Sequence, residues 1–258
     1  MKLYLKYFKM NLCLQMQYKT SFILTIIGQF LTSFSVFLEI YFMMNRFYSV
    51  SGFSYEEVLL CFAIVLLVFS LAECFARGFD TFPTMITNGE FDRILLIPRN
   101  EVFQILATKI EFSRVGRLIQ AVIIFVYSFN KIGINWHFEQ ILLLCLMIIS
   151  GTVIFSGLFI IYAAICFYTL EELEFMNIFT DGGRELGKYP FSIYGKSVLK
   201  LFTFVIPLAL FQYYPFLYLT SRSHNIIYML APLIGMLFII PCLILWKIGL
   251  KRYSSTGS

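Results

Sequence analysis

The chain has 258 residues, 59% of them hydrophobic, 19% aromatic and 14% charged. A soluble domain carries about 25% charged residues, so this composition excludes an ordinary soluble protein and marks an all-α integral membrane protein. The formal net charge of +5 does not indicate nucleic-acid binding, because the basic residues form no continuous strip and no polar domain is present to display one.

Residues 1–19 carry Lys2, Lys6 and Lys9 on one helical face, with Leu3, Leu5, Tyr7, Phe8 and Leu12 filling much of the rest. That pattern suits an amphipathic helix at a membrane surface. It suits a basic flank before a span equally well. No clean apolar centre with a small-residue cleavage site marks it as a signal peptide.

A spanning helix needs about 20 mostly apolar residues. Six segments qualify, at about 20–41, 58–76, 115–130, 141–168, 198–218 and 226–246. The first carries Glu39 near its outer end and the second carries Glu73 near its inner end. Ionisable groups within spans are functional candidates by default, although both lie close enough to an interface to be solvated. The third is the weakest. Asn100 to Asn130 also reads as one continuous helix, and Arg114 and Arg117 are expected to snorkel outward near its start. Pro207 and Pro215 interrupt the fifth, with Gln212 between them, and Pro232 and Pro241 lie in the sixth. Carbonyls freed in the fifth must face protein or water.

If both termini are cytoplasmic, 17 of the 20 Lys and Arg residues fall on the inner side, leaving Arg46, Lys131 and Arg222 outside. The positive-inside rule favours that arrangement. The two sizeable polar stretches are then the inner segments 77–113 and 169–197. In the first, Pro83 and Pro98 bracket a short amphipathic piece and Asn88-Gly89 permits a sharp turn. An ordinary surface helix gives the same pattern. The second holds DGGRELGKYP, Asp181 to Pro190, whose Gly182, Gly187 and Lys188 imitate a phosphate-binding loop. That loop needs Ser or Thr after the Lys and must open a helix. Tyr189 and Pro190 stand there instead, so the stretch reads as a glycine turn between helices. The six cysteines form no C-x-x-C pair and read as small core hydrophobes. With two histidines, His137 and His224, no metal set is visible.

Four stretches resemble ABC-2 type permeases, the membrane halves of bacterial ABC exporters. NGEFDRILLIPRN resembles their cytoplasmic G-x-x-D-x-x-L-x-x-P segment, matched by Gly89, Asp92, Leu95 and Pro98. FTDGGRELGKYPFSIY, FVIPLALFQYYPFLYL and GLKRYSSTGS resemble the GGREF, YYP and STGS segments of one branch of that family. Leu186 and Gln212 depart from its usual Phe and Asn. The resemblance implies six spans, short cytoplasmic coupling helices and a re-entrant piece at Gln212 to Leu219. It implies a path shared with a second permease copy or a related permease in the bacterial inner membrane. It further implies a separate ABC ATPase subunit holding ATP and magnesium, so this chain needs no cofactor, metal or catalytic residue of its own. Gly89, Glu90, Asp92, Arg93, Leu95 and Pro98, with Gly182, Gly183, Arg184 and Glu185, become the residues expected to meet the ATPase. Glu39, Glu73 and Gln212 become candidates for the transport path. Two rivals stand beside this reading. One is a non-transporting sensor or immunity subunit on the same fold. The other is an intramembrane enzyme, for which no paired base and nucleophile is seen.

Overall fold

A computed structural model describes residues 2–47, 49–134, 136–169 and 174–254. The ending matched to STGS is therefore described only as far as Ser254, and the Lys2 and Leu3 side chains lie outside the described residues. The described residues form helices joined by turns, with one isolated β-bridge between Val50 and Phe53.

Helices α1 (Lys2–Gln15) and α2 (Lys19–Phe47) are separated by a single 3-10 turn, Met16–Tyr18. α3 (Tyr55–Asp80) returns beside α2. Its start is fixed by a capping box, in which Ser54 Oγ accepts from the Glu57 amide at 3.3 Å and Glu57 accepts from the Ser54 amide at 2.7 Å. Between the charged residues near its ends α3 is apolar on every side, and 83% of its most apolar window is buried. A helix of that kind belongs at the centre of a bundle. The short α4 (Phe82–Thr87), α5 (Glu90–Leu95) and α6 (Glu101–Thr108) follow. Gly89 joins α4 to α5 at φ 68°, a left-handed turn that favours glycine. α7 (Val115–Lys131) and α8 (Phe138–Thr169) then cross the bundle in opposite directions. The break between α6 and α7 excludes the single helix from Asn100 to Asn130.

The second half departs further from the sequence reading. α9 (Asn177–Gly187) is a continuous helix where a glycine turn was expected. It runs antiparallel to α3, with Arg184 over the Phe69 ring and Gly187 against Val65. Gly182 and Gly183 are helical, and their backbone has no positive φ. Gly183 is small because a Cβ there would come within 2.7 Å of Leu208. α10 (Gly195–Phe204), α11 (Leu208–Phe211) and α12 (Tyr213–Leu219) replace the single fifth span. The stretch Phe191–Phe204 meets Leu208–Leu219 at 93°. Pro207 explains the corner, since its ring and missing N–H break the helical ladder there. α13 (Ile226–Met236) and α14 (Ile239–Leu250) complete the chain. Pro241, which has no N–H to donate, sits in the first turn of α14, and the Leu237 carbonyl at the junction accepts from the Ile240 amide at 3.0 Å instead.

Five helical stretches are long and apolar enough to cross a membrane, or six if the bent pair is one crossing. Their bounds exceed the expected spans, at Tyr55–Thr87, Phe112–Lys131, Phe138–Thr169 and Ile226–Leu250. In the first, Tyr4–Phe47, 6% of the most apolar window is buried, so α2 lies at the edge of the bundle. Cys61, Cys74, Cys166 and Cys242 are buried as expected, but Cys13 and Cys145 are exposed.

Two glycines set the helix spacing. A Cβ on Gly116 of α7 would stand 2.1 Å from the Ile26 carbonyl oxygen of α2, and one on Gly78 would stand 2.1 Å from that of Ile105. Gly28 has nothing within 4 Å. Gly116→Ala should therefore destabilise the purified protein by about 1–3 kcal/mol through overpacking against backbone. Gly28→Ala should leave stability unchanged or raise it by up to about 1 kcal/mol through helix propensity. Thermal unfolding in detergent checks the contrast, and equal effects would show that α2 does not pack on α7 at Gly116.

Candidate functional site

Charged side chains gather along the seam where α2, α3, α7 and α9 meet. At its lower end, Glu73 of α3 has a side-chain exposure of 4%. Its Oε2 accepts from Arg117 Nη1 at 2.5 Å, while Oε1 lies 3.3 Å from Arg77 and 3.5 Å from Arg114. Arg117 also donates to Gln29 Oε1 of α2 at 2.6 Å. Arg77 reaches Asp80 at 3.0 Å and Glu111 at 3.8 Å, and Glu111 holds Arg114 at 3.1 Å. The arginines expected to snorkel outward thus turn inward, and Glu73 is buried instead of solvated. Removing a charge from water costs several kcal/mol unless its partners are well placed, which explains why these groups share one network.

Higher on the seam, Arg184 and Arg117 both stand over the Phe69 ring, with their guanidinium carbons 4.9 and 5.9 Å from its centroid. Arg184 pairs with Asp181 at 3.3 Å and with Glu185 at 2.8 Å. Lys188 is buried, not an exposed surface cation. It pairs with Glu185 of its own helix end and with Glu39 of α2 at 3.6 Å. Between these groups is a small cavity, lined on α2 by Thr32, Ser33 and Val36 and on the far side by Arg117, Arg184, Glu185 and Lys188. One flank of the seam is open, with side-chain exposures of 59% at Glu39, 52% at Asp181 and 44% at Glu185.

Gln212 closes the top. Its buried amide donates to the Gly187 carbonyl at 3.3 Å and the Tyr189 carbonyl at 3.1 Å and touches the Cys61 sulfur. The corner before α12 is thereby pinned to the end of α9. The amides of Gly182 to Gly187 point along a helix, so the imitation of a phosphate-binding loop supplies no cradle for a nucleotide.

The α4–α5 turn forms a separate surface. Phe82 and Phe91 pack into a cluster with Phe79, Phe167 and Trp246. Tyr253, beyond the end of α14, stacks edge-on against Phe91 with centroids 5.1 Å apart and donates its hydroxyl to Asp92 Oδ1 at 2.9 Å. Burial and the facing carboxylate push this phenol up to about 12, so it stays a donor throughout the working pH range. Asp92 is therefore braced from within the chain. Glu90, Arg93, Leu95, Ile97 and Pro98 are exposed, and Leu96 shows 84% of its surface. The structure does not bring this face together with Gly182, Gly183, Arg184 and Glu185, which lie on the seam. Sequence reasoning missed Arg114, Arg117, Gln29 and Lys188 as seam residues. The available signal was spacing: Glu73 and Arg77 share a helical face at i,i+4, as Arg114 and Arg117 do at i,i+3.

Glu73→Gln should destabilise the protein by about 3–5 kcal/mol, because it leaves buried guanidinium charges short of a partner. Glu73→Leu with Arg117→Leu should recover much of that loss. Unfolding temperatures of the two variants decide it, and a harmless Glu73→Gln would mean that the network carries no net stability.

The comparison with curated proteins and with solved structures returned no match. A family model described as ABC-2 family transporter protein matches residues 30–257. That interval takes in the seam apart from Gln29, the α4–α5 surface and every helix from most of α2 to α14, and the chain belongs to the ABC-2 transporter family as a multi-pass membrane permease.

Proposed function

We propose that the chain is the membrane subunit of an ATP-driven ABC-2 exporter and that it works paired with a second permease. The carrying observation is the open flank of the seam. Glu39, Asp181 and Glu185 are half exposed on the side of an otherwise apolar bundle. A charge facing hydrocarbon at the bilayer centre costs about 2.5–3.5 kcal/mol even by insertion scales. Cover by a second chain, enclosing water between the two seams, removes that cost. The seam is then half of a translocation path and its partner supplies the other half.

In this reading α9 and the turn after it make the fifth crossing, and α10 to α12 form a bent re-entrant segment. Placing α10 on the outer side moves Lys196 and Lys200 outward and puts Arg184 and Lys188 within the crossing, and the resulting split of 13 cations inside against 5 outside still favours both termini in the bacterial cytoplasm. That orientation places the α4–α5 face where an ABC ATPase subunit, holding ATP and magnesium, docks. Glu90, Arg93, Leu96, Ile97 and Pro98 make the contacts and Asp92 holds their shape. A sensor or immunity subunit on this fold would lack ATP-dependent movement of a substrate, which assay of the reconstituted complex separates.

Two outcomes follow. A single cysteine at Asp181, in a cysteine-free background, should form crosslinks between permease chains in native membranes, while one at exposed Phe138 should not. Absence of crosslinks from Asp181 with either a second copy or a co-expressed related permease would overturn the shared path. At the docking face, Leu96→Asp combined with Arg93→Glu should lower co-purification of the ATPase by about tenfold or more, since apolar anchors and unpaired charges dominate such contacts. Full retention of the ATPase by this variant would move the docking site elsewhere.

A further inference from the structure

A second cavity lies on the opposite side of α2, away from the charged seam. It is a groove of about 1030 Å³, measured to its open mouth, between α2 and α7. Its α2 wall is aromatic, with Phe30, Phe34 and Phe37 ascending in turn. Tyr41, Tyr55 and Tyr127 line its upper part, with Tyr41 and Tyr55 edge to face at 6.1 Å between centroids. No Lys, Arg, Asp or Glu lines it. The distance from Phe30 to Tyr41 is about 16 Å along the helix, enough for most of one acyl chain within a leaflet about 15 Å deep.

The lower part of the groove breaks this apolar pattern. Gln120 of α7 lines it and is 2% exposed, and neither its Oε1 nor its Nε2 has a hydrogen-bond partner. α2 and α7 run parallel from the Gly116–Ile26 contact, which sets Gln120 one turn above that contact and level with Phe30. A buried carboxamide with both atoms unsatisfied is costly, and apolar surroundings cannot relieve it. Ser128, also buried and unpartnered, lies two turns higher on the same helix but does not line the groove. The groove opens to the side, along α2, the least covered helix of the bundle.

We propose that this groove is a binding site for a long-chain N-acyl amide, an amphiphile whose amide group pairs with Gln120 while its acyl chain runs along Phe30, Phe34 and Phe37 to the tyrosines. The chemistry selects the amide. Gln120 offers one acceptor and two donor hydrogens. A secondary amide answers with an N–H and a C=O together, whereas an ester answers only the donor and a plain hydrocarbon answers neither. The uncharged lining excludes a charged group within the groove, because an unpaired ion there would be desolvated. The site belongs to one chain, so it does not depend on a second permease or on an ATPase.

The test uses the full-length protein in nanodiscs and two clickable photoreactive probes, a long-chain N-acyl amide and a matched chain without the amide. The amide probe should label peptides from Phe30 to Tyr41 and from Gln120 to Tyr127. Gln120→Leu should reduce its labelling about tenfold, the loss expected for one well-made hydrogen-bonding group, and should leave the hydrocarbon probe unaffected or better retained. Ile123 is exposed and lines the groove, so Ile123→Trp fills it without touching the core and should exclude both probes. If the amide probe labels wild type and Gln120→Leu equally, the groove is a non-selective lipid crevice and the proposal fails. It fails also if Ile123→Trp leaves labelling intact or if the labelled peptides lie elsewhere.

Discussion

Glu73 lies within the most buried helix of the bundle at a side-chain exposure of 4%, and a lone carboxylate there would cost several kcal/mol. Its neutralisation by arginines is therefore a condition for α3 to occupy the centre. The partners come from three places: Arg77 one turn further along α3, Arg114 at the start of α7, and Arg117 within it. Arg117 then extends the network to Gln29 of α2. α2, α3 and α7 are thus registered by a polar contact, while Gly116 lets α2 and α7 approach to backbone contact just below it. In a membrane, where lipid tails are as apolar as Leu, close approach and polar pairing are what hold helices together. The edge helix α2 needs both, because so little of its apolar surface is covered.

The second half of the molecule is organised by carbonyls that must find donors. Pro207 breaks the chain at a 93° corner, and an irregular backbone at membrane depth is tolerated only where protein or water satisfies it. The chain leaving α9 is irregular too, and there Gln212 meets that need by donating to the Gly187 and Tyr189 carbonyls. Glycine then sets the distance: Gly183 admits Leu208 and Gly187 admits Val65. These contacts keep α9 on the flank of α3, which in turn holds Arg184 and Lys188 at the seam. At the other end of α3, Glu57 serves both its own capping box and a pair with Arg222 at 2.7 Å, so the α2–α3 and α12–α13 turns are tied together.

Much of the architecture was legible in the sequence because runs of apolar residues about 20 long have one reading in a membrane protein. α3, α7, α8 and the α13–α14 pair lie where hydropathy put them, and Asn88-Gly89 makes the turn its residue types require. The charged seam was not legible. Hydropathy treats Arg114 and Arg117 as a defect at the edge of a span, and Lys188 as a loop cation, because it carries no information on which helices face each other. DGGRELG misled for a related reason. Glycine and charge signal a turn in a lone segment, but a helix packed on neighbours can use glycine for closeness and charge for pairing. The α4–α5 surface was better foreseen, since its apolar and polar residues alternate on a scale that one short helix can express, although the brace from Tyr253 to Asp92 joins residues 161 apart.

That brace bears on how the outer face of α5 connects to the interior. α5 has two rigid attachments. One is the ring cluster of Phe82, Phe91, Phe167, Trp246 and Tyr253, which joins it to the ends of α8 and α14. The other is Gln104 of α6, whose amide donates to the Ile94 and Arg99 carbonyls at 3.2 and 3.1 Å and grips both sides of the exposed Leu95–Pro98 turn. α6 in turn rests its Ile105 carbonyl on Gly78, where no space remains for even a methyl group. Gly78 lies one residue from Arg77, and Arg77 holds Glu73. Close-packed interiors transmit displacement because they have no slack to absorb it. A load on Arg93 or Leu96 is therefore delivered to α3 within a turn or two of the charged network, and to α14 through the rings. Since separating buried Glu73 from its arginines is costly, the network favours moving with α3 as a unit.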